Sequence, residues 1–147
     1  AESKNIKVIF SLSDSNLVKM FRSDFIKLIK SNINILIGNE NEISELLEHE
    51  DQSKFQNDQK IDILVKTLGQ KGAQVSYSNK SEIVSSYKVN SVVDTTGAGD
   101  MFAAGFLFKL LQGQNPSESA LFGCKVASLI IQQYGARLSK DLLKDLF

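Results

Sequence analysis

Residues 92–107, VVDTTGAGDMFAAGFL, join a short apolar segment to a long apolar run through a loop with two glycines. Glycine lets the backbone turn tightly, so Gly97 and Gly99 can point successive N–H groups at one spot. A helix is predicted from about Ala98 to Gln112, and its first N–H groups add partial positive charge at the same place. The loop is therefore predicted to be a phosphate-binding cradle.

This loop differs from two common phosphate-binding motifs. The sequence contains no GxxxxGK[ST] pattern, which argues against a P-loop. The dinucleotide-binding fingerprint also fails, because Phe102 stands where its third glycine should be. Both the P-loop and the dinucleotide-binding interpretations are therefore disfavoured.

Asp100 lies in the first turn of the predicted helix, where the partial positive charge favours its carboxylate. A carboxylate beside an anion cradle can accept the proton of an attacking hydroxyl while backbone N–H groups stabilise the transferring phosphoryl group. Alternatively, Asp100 only satisfies the helix dipole, and Gly97 and Gly99 only form a turn. Spacing alone leaves both interpretations open.

Upstream of the loop, apolar runs typical of strands alternate with runs typical of amphipathic helices. This order is expected of a parallel sheet covered by helices, because each parallel crossover needs a dozen or more residues. We therefore predict an α/β fold with a mostly parallel sheet flanked by helices. The predicted strands cover 7–11, 33–37 and 61–67, with strand-like pieces around a turn at 78–80 and up to 93; the predicted helices cover 17–29, 42–48, 98–112 and 117–133, and 49–60 is a polar connection.

Composition narrows the functional classes. The 147 residues are 42% hydrophobic, enough for a globular core, and 17 basic residues balance 17 acidic ones without a charged run. That balance argues against nucleic acid and anionic membrane as partners. No apolar stretch reaches the roughly 18 residues of a spanning helix, and the first ten residues do not resemble a secretory signal. A single cysteine, Cys124, fits a cytoplasmic location and is expected to pack in an apolar helix.

The stretch DTTGAGD, followed by a helix rich in small and aromatic residues, resembles the second signature of the ribokinase-like (phosphofructokinase-B) carbohydrate and nucleoside kinases, D-T-x-G-A-G-D. Three further segments resemble motifs of this family in the family's order: NENE at 39–42 its N-x-x-E, KTLG at 66–69 with Gly72 its T-x-G turn, and ASLIIQQYGA at 127–136 its closing helix. The resemblance spans most of the chain. It implies that residues 1–147 are the C-terminal, nucleotide-binding half of a ribokinase-like kinase domain.

The resemblance implies an ATP-dependent transfer of the γ-phosphate to a primary hydroxyl of a sugar or nucleoside. Asp100 would be the catalytic base. The other residues of the loop would face the nucleotide, with Gly97, Ala98 and Gly99 as an anion hole over the γ-phosphate and Thr95 and Thr96 beside it.

The same resemblance implies that Asn39 and Glu42 position Mg²⁺ and its waters, which suits an ion that keeps several waters and binds few carboxylates. The alternative is a capping box at a helix start, and the two roles can coexist. Thr67, Gly69 and Gly72 would border the nucleotide, although a T-x-G after a strand is also common as a plain turn.

Asp94 and Ser139 resemble the monovalent-cation site, used by K⁺ in many members, that lies behind the anion hole. Asp94 can equally be a residue that orders its loop through its own carboxylate. Both interpretations stay open.

Members of this family are longer, and their acceptor-binding residues and lid come mainly from the N-terminal half. We therefore expect that missing half as a partner, and an exposed sheet edge or apolar face at the strand that begins at Lys7. The segments 10–42 and 130–138 resemble adenosine-kinase-like members more than ribokinase, while ribose and fructose stay open as acceptors. The competing hypothesis is a non-catalytic nucleotide-binding fragment, or a half-domain that needs a partner chain; an oligomer is left open.

Overall fold

The computed structural model describes residues 6–31, 33–139, 142 and 146. The chain divides into two compact units. Unit 1 comprises the residues up to 68 together with 74–82, and unit 2 comprises 69–73 together with the residues from 83 onward. Within the described residues, none of the helices has the length and apolar character needed to cross a lipid bilayer.

A five-stranded sheet has the order β1-β2-β3-β4-β5, the same as the order along the chain. The first three strands run parallel, with Ile9, Ile35 and Ile63 aligned across them. A two-residue turn joins the last two strands, which makes them antiparallel neighbours. The strands are β1 (Ile9–Ser11), β2 (Ile35–Asn39), β3 (Ile63–Thr67), β4 (Ala73–Tyr77) and β5 (Lys80–Val84).

Helices lie between the parallel strands and after the last strand. The predicted α/β class, a mostly parallel sheet flanked by helices, is therefore confirmed. A short 3₁₀ turn, Gly69–Lys71, precedes β4. The helices are α1 (Ser15–Met20), α2 (Arg22–Lys30), α3 (Glu40–Leu47), α4 (Gln52–Asp58), α5 (Ala98–Leu111) and α6 (Pro116–Ile130).

The hydrophobic core of unit 1 joins its parallel strands to its helices. Leu36 and Leu64 are fully buried and lie in register on β2 and β3. Phe10 of β1 packs on Phe25 of α2 with ring centroids 5.6 Å apart. The other buried members of this cluster are Leu12, Val18, Ile29, Ile33, Ile43, Leu46, Phe55 and Ile61.

β1 is an edge strand of the described sheet, as the sequence predicts. Its Ile9 side chain is 39% exposed, whereas its register partner Ile35 on β2 is 4% exposed. An apolar side chain at an unpaired edge is a surface that a further strand or helix can cover.

Two predictions about unit 1 are wrong. The polar connection at 49–60 contains helix α4, whose N-cap Asp51 accepts a hydrogen bond from the N–H of Lys54 at 2.9 Å and whose Phe55 is buried. The single helix predicted over 17–29 is two helices, because Phe21 leaves the helical conformation with φ −117° and ψ 26°. A capping aspartate and one buried phenylalanine are the sequence signals that identify α4.

The strand-like segment predicted to reach residue 93 is also wrong beyond residue 84. Residues 85–93 belong to none of the strands described. The N–H of Val93 instead donates to the carbonyl of Ile131, 2.8 Å away. This hydrogen bond to the turn after α6 takes the place of the strand pairing that was expected up to residue 93.

In unit 2, α5 and α6 pack closely against each other at two glycines, Gly105 and Gly123. A Cβ added to Gly105 would lie 2.7 Å from Val126 Cγ2, and one added to Gly123 would lie 2.8 Å from the carbonyl oxygen of Phe102. Both distances are below normal contact, so the helices can approach this closely only because neither glycine has a side chain. Cys124 is buried on α6, in agreement with its expected packing role, and burial raises the pKa of its thiol to about 11.

Candidate active site

The glycine loop enters α5 in the way the sequence predicts. Gly97 is the N-cap of α5 and has φ 79° and ψ 2°, a left-handed conformation that favours glycine. Its carbonyl accepts the first hydrogen bond of the helix, from Met101 at 2.9 Å, and the N–H of Ala98 donates to Thr95 at 3.1 Å. No backbone hydrogen bond of the described chain uses the N–H groups of Gly99 and Asp100. These groups are available to an anion.

Open space lies beside Gly99 in the first turn of α5. A Cβ added to Gly99 would meet no atom within 4 Å, and Asp100 is exposed as the one acidic residue in the first turn of α5. Free N–H donors and a carboxylate therefore share one accessible helix end. That combination can bind an anionic group and accept a proton beside it.

Asp94 orders the start of the loop. Its Oδ1 accepts from the N–H of Thr96 at 2.9 Å, and its Oδ2 accepts from the N–H of Gly135 at 3.0 Å. Hydrogen bonds from the side chain and N–H of Thr96, and from the N–H of Gly135, lower the pKa of the Asp94 carboxyl from its ordinary value of 3.8. The loop-ordering interpretation is supported, while the monovalent-cation site stays a prediction.

We expect Asp94→Asn to destabilise the protein in a pH-dependent way. Since the folded chain lowers the pKa of Asp94, the carboxylate stabilises the fold above pH 3.8, and this contribution is lost as the pH falls through the lowered pKa. The difference in melting temperature between wild type and variant should be constant from about pH 8 to about pH 5 and shrink below about pH 4. A difference that does not change with pH would show that the charge is not responsible.

The turn after α6 was missed by sequence reasoning. The carbonyl of Ile131 accepts from the N–H groups of Val93 and Asp94, at 2.8 and 3.3 Å, and Ala136 lies directly against Gly97. The sequence signal was the Gly135-Ala136 pair at the end of a helical run, but nothing local tells which distant loop it contacts. Ser139, predicted beside the cation site, accepts a hydrogen bond from the N–H of Leu142 at 3.3 Å.

In unit 1, Asn39 and Glu42 form the capping box of α3. Asn39 Oδ1 accepts from the N–H of Glu42 at 2.9 Å, and the Glu42 carboxylate accepts from the N–H and the side-chain amide of Asn39, each at 2.8 Å. Glu42 is only 6% exposed. The capping interpretation is confirmed.

The magnesium role of Asn39 and Glu42 stays a prediction. No group of three or more His, Cys, Asp or Glu side chains in the described ranges could hold a metal ion directly. Mg²⁺ keeps most of its waters and needs few carboxylates, so one carboxylate and one amide oxygen fit an ion bound largely through water. A carboxylate also has lone pairs left after two hydrogen bonds.

Thr67 ends β3 next to the end of β2, where its register partner is Asn39. The two residues therefore lie side by side at the carboxyl end of parallel strands, the edge at which open α/β sheets bind their ligands. Of the predicted site residues in unit 1, all three are brought to this edge: Asn39, Glu42 and Thr67.

Gly69 and Gly72 shape the turn before β4. Gly69 has φ 57° with no atom within 4 Å of an added Cβ, and its carbonyl accepts from the N–H of Gly72 at 3.0 Å. Gly72 is buried with φ 100°, and an added Cβ would lie 1.9 Å from the carbonyl oxygen of Val84. The backbone crowding is by itself enough to require glycine at position 72. The open surroundings of Gly69, in contrast, leave room for a ligand.

Comparison with known proteins gives one consistent group. The model of the pfkB family carbohydrate kinases matches residues 1–142. The chain is 40% identical over 80 residues to a ribokinase of Staphylococcus aureus, covering 54% of this chain and 26% of that one. It is 34% identical over 116 residues to an uncharacterized sugar kinase of Archaeoglobus fulgidus, covering 78% and 46%.

Solved structures give the same group. An adenosine kinase from Sinorhizobium meliloti superimposes with a TM-score of 0.89 at 32% identity, over 99% of this chain and 45% of that one. A probable sugar kinase from Rhizobium etli gives 0.89 at 31% identity, with 99% and 45% covered. The chain thus spans less than half the length of these relatives.

Proposed function

Since the chain belongs to the pfkB family of carbohydrate kinases, we propose that it supplies the nucleotide-binding half of a kinase that transfers the γ-phosphate of ATP to a primary hydroxyl of a sugar or nucleoside. The observation that carries this proposal is the start of α5. There the left-handed Gly97, the free N–H groups of Gly99 and Asp100, and the Asp100 carboxylate lie together at an open helix end.

The proposed reaction assigns each of these groups a task. The Asp100 carboxylate accepts the proton of the acceptor hydroxyl while the hydroxyl oxygen bonds to the γ-phosphorus. The bond between the γ-phosphorus and the oxygen that bridges it to the β-phosphate breaks, and ADP is released. The backbone N–H groups of Gly97 and Gly99, together with that of residue 100, are proposed to stabilise negative charge on the transferring phosphoryl group, whereas the N–H of Ala98 donates to Thr95. Oriented donors of this kind need no rearrangement during the reaction.

Mg²⁺, when bound, would neutralise phosphate charge, and Asn39 and Glu42 are the residues proposed to hold its waters. Thr67 lies beside Asn39 at the same sheet edge and is proposed to border the nucleotide together with Gly69. A K⁺ site near Asp94 and Ser139 is part of the same proposal.

Among acceptors, we propose a nucleoside. The adenosine kinase from Sinorhizobium meliloti matches 99% of the chain at 32% identity, which supports this choice. The ribokinase of Staphylococcus aureus at 40% identity over 80 residues supports a pentose as the alternative. Both acceptors carry the primary hydroxyl that Asp100 would address.

A panel of acceptors on the full-length protein, with Mg²⁺-ATP and K⁺ supplied, tests the proposal. We expect adenosine to be phosphorylated best, and 5′-deoxyadenosine to bind without being phosphorylated because it lacks the reacting hydroxyl. Ribose or fructose turnover tens of times better than adenosine would overturn the nucleoside choice. Failure of every sugar and nucleoside would contradict the kinase proposal.

The second candidate is a non-catalytic nucleotide-binding half-domain. Two observations favour it. The chain spans 45% of the length of the related structures, and β1 is an exposed edge strand of the described sheet. Acceptor-dependent ATP consumption by the isolated 147-residue chain would exclude it.

A further inference from the structure

The turn after α6, residues 131–137, holds the glycine loop at three points. The carbonyl of Ile131 binds the N–H groups of Val93 and Asp94, and the N–H of Gly135 binds the Asp94 carboxylate at 3.0 Å. The third point is apolar. A Cβ added to Gly97 would lie 2.7 Å from Ala136 Cβ and 3.0 Å from its Cα, so Gly97 is seated directly on Ala136.

The contact with Ala136 involves Gly97, the residue at which α5 begins. The Gly97 carbonyl accepts the first helical hydrogen bond, from Met101. A shift of Gly97 therefore carries the free N–H groups of Gly99 and Asp100 with it, and the Asp100 carboxylate as well. The two hydrogen-bonded points fix the entry to the loop, whereas the three atoms nearest the Cβ position of its glycine cap all belong to Ala136.

We propose that Ala136 is a positioning residue for phosphoryl transfer, and this inference rests on the proposed function. Its methyl group and backbone form the surface that fixes Gly97, and through Gly97 the position of the anion-binding N–H groups and of Asp100. A methyl group fills the contact. Glycine at 136 removes the methyl part of this surface and keeps only its backbone, and a β-branched side chain adds volume directly beside Gly97.

The expected effect falls on turnover rather than on nucleotide affinity. Donors displaced by a fraction of an ångström still bind phosphate, but they no longer match the transition state, and a misplacement of 1 Å can cost about 10² in rate. In the full-length protein, Ala136→Gly and Ala136→Val should each lower kcat by about 10-fold or more with KM for ATP within about 2-fold of wild type. Binding of ADP with aluminium fluoride, which mimics the transferring phosphoryl group, should weaken while binding of ADP alone does not.

Ala104→Val is the matched control, because Ala104 is exposed on α5 and the change in side chain is the same. It should leave kcat within about 2-fold of wild type. A double-mutant cycle provides the second test. Gly97→Ala places a methyl group against Ala136, and Ala136→Gly removes the nearest of the atoms that this methyl group meets, so the double variant should be more active than the product of the two single effects predicts.

Three outcomes separate the possibilities. An active wild type whose Ala136 variants keep wild-type kcat would overturn this inference alone, as would strictly multiplicative effects in the cycle. A fall in melting temperature as large for Ala104→Val as for the Ala136 variants, with equal loss of kcat, would reduce the effect to general destabilisation. Absence of any phosphoryl transfer in the wild-type protein would overturn the proposed function, and this inference with it.

Discussion

Asp100→Asn is expected to lower turnover of the full-length protein by at least about 10²-fold while leaving nucleotide affinity nearly unchanged. Asparagine keeps the size and the polar end of the side chain but cannot take up the hydroxyl proton. The N–H groups of Gly99 and residue 100 that would bind the phosphate belong to the backbone and survive the substitution. Steady-state kinetics and calorimetric titration with ADP separate the two quantities.

Glu118→Gln is the control for the dipole interpretation of Asp100. Glu118 is the acidic residue in the first turn of α6, so it has the same relation to its helix as Asp100 has to α5. Loss of a first-turn carboxylate costs about 0.3–1 kcal/mol of stability in either helix. If Asp100→Asn changes melting temperature like Glu118→Gln and turnover stays near that of the wild type, Asp100 is only a helix-start acid.

Gly72→Ala is expected to lower the free energy of unfolding by about 3 kcal/mol or more. The new Cβ would lie 1.9 Å from the carbonyl oxygen of Val84 and 2.8 Å from the backbone of Ser85 and Ser86, and none of these atoms is the end of a flexible side chain. The substitution also places alanine at φ 100°, a backbone conformation that residues with a side chain rarely adopt. Urea denaturation should show the loss as a lower midpoint.

Gly69→Ala separates the crowding from the backbone conformation. Gly69 also has a positive φ, 57°, but an added Cβ there meets no atom within 4 Å. Only the left-handed conformation is penalised, at a cost of about 1–2 kcal/mol. Equal losses for the two variants would mean that the contact with Val84 relaxes freely and that crowding is not why residue 72 is glycine.

The sequence predicted the parallel part of the sheet because each of its strands is a compact apolar run between turn residues. It misjudged the end of β2, because the strand predicted over 33–37 ends before Gly38 and β2 continues to Asn39. In the structure Gly38 lies inside β2, and a Cβ there would lie 2.8 Å from Leu12 Cδ1 and 3.2 Å from Glu42 Oε2. The glycine is present for a close tertiary contact, which no local pattern reveals.

The candidate site divides in the same way. The glycine loop, its helix and Asp100 are contiguous in sequence, and turn and helix chemistry predicts them directly. The contact between Gly97 and Ala136 joins segments far apart in the chain, so it depends on how α5 and α6 pack. Helix α4 was missed for another reason: it is short and mostly polar, and Phe55 is its one buried residue.

The glycine contacts between α5 and α6 have a thermodynamic consequence for ligand binding. At Gly105 and Gly123 the two helices meet without a glycine side chain between them, so they pack in close contact. This packing fixes where the start of α5 lies relative to the turn after α6, and these two segments together hold the glycine loop. The conformational entropy of the loop is lost when the chain folds, so an anion that arrives later meets donors already in place, and little of its binding free energy is offset by ordering backbone.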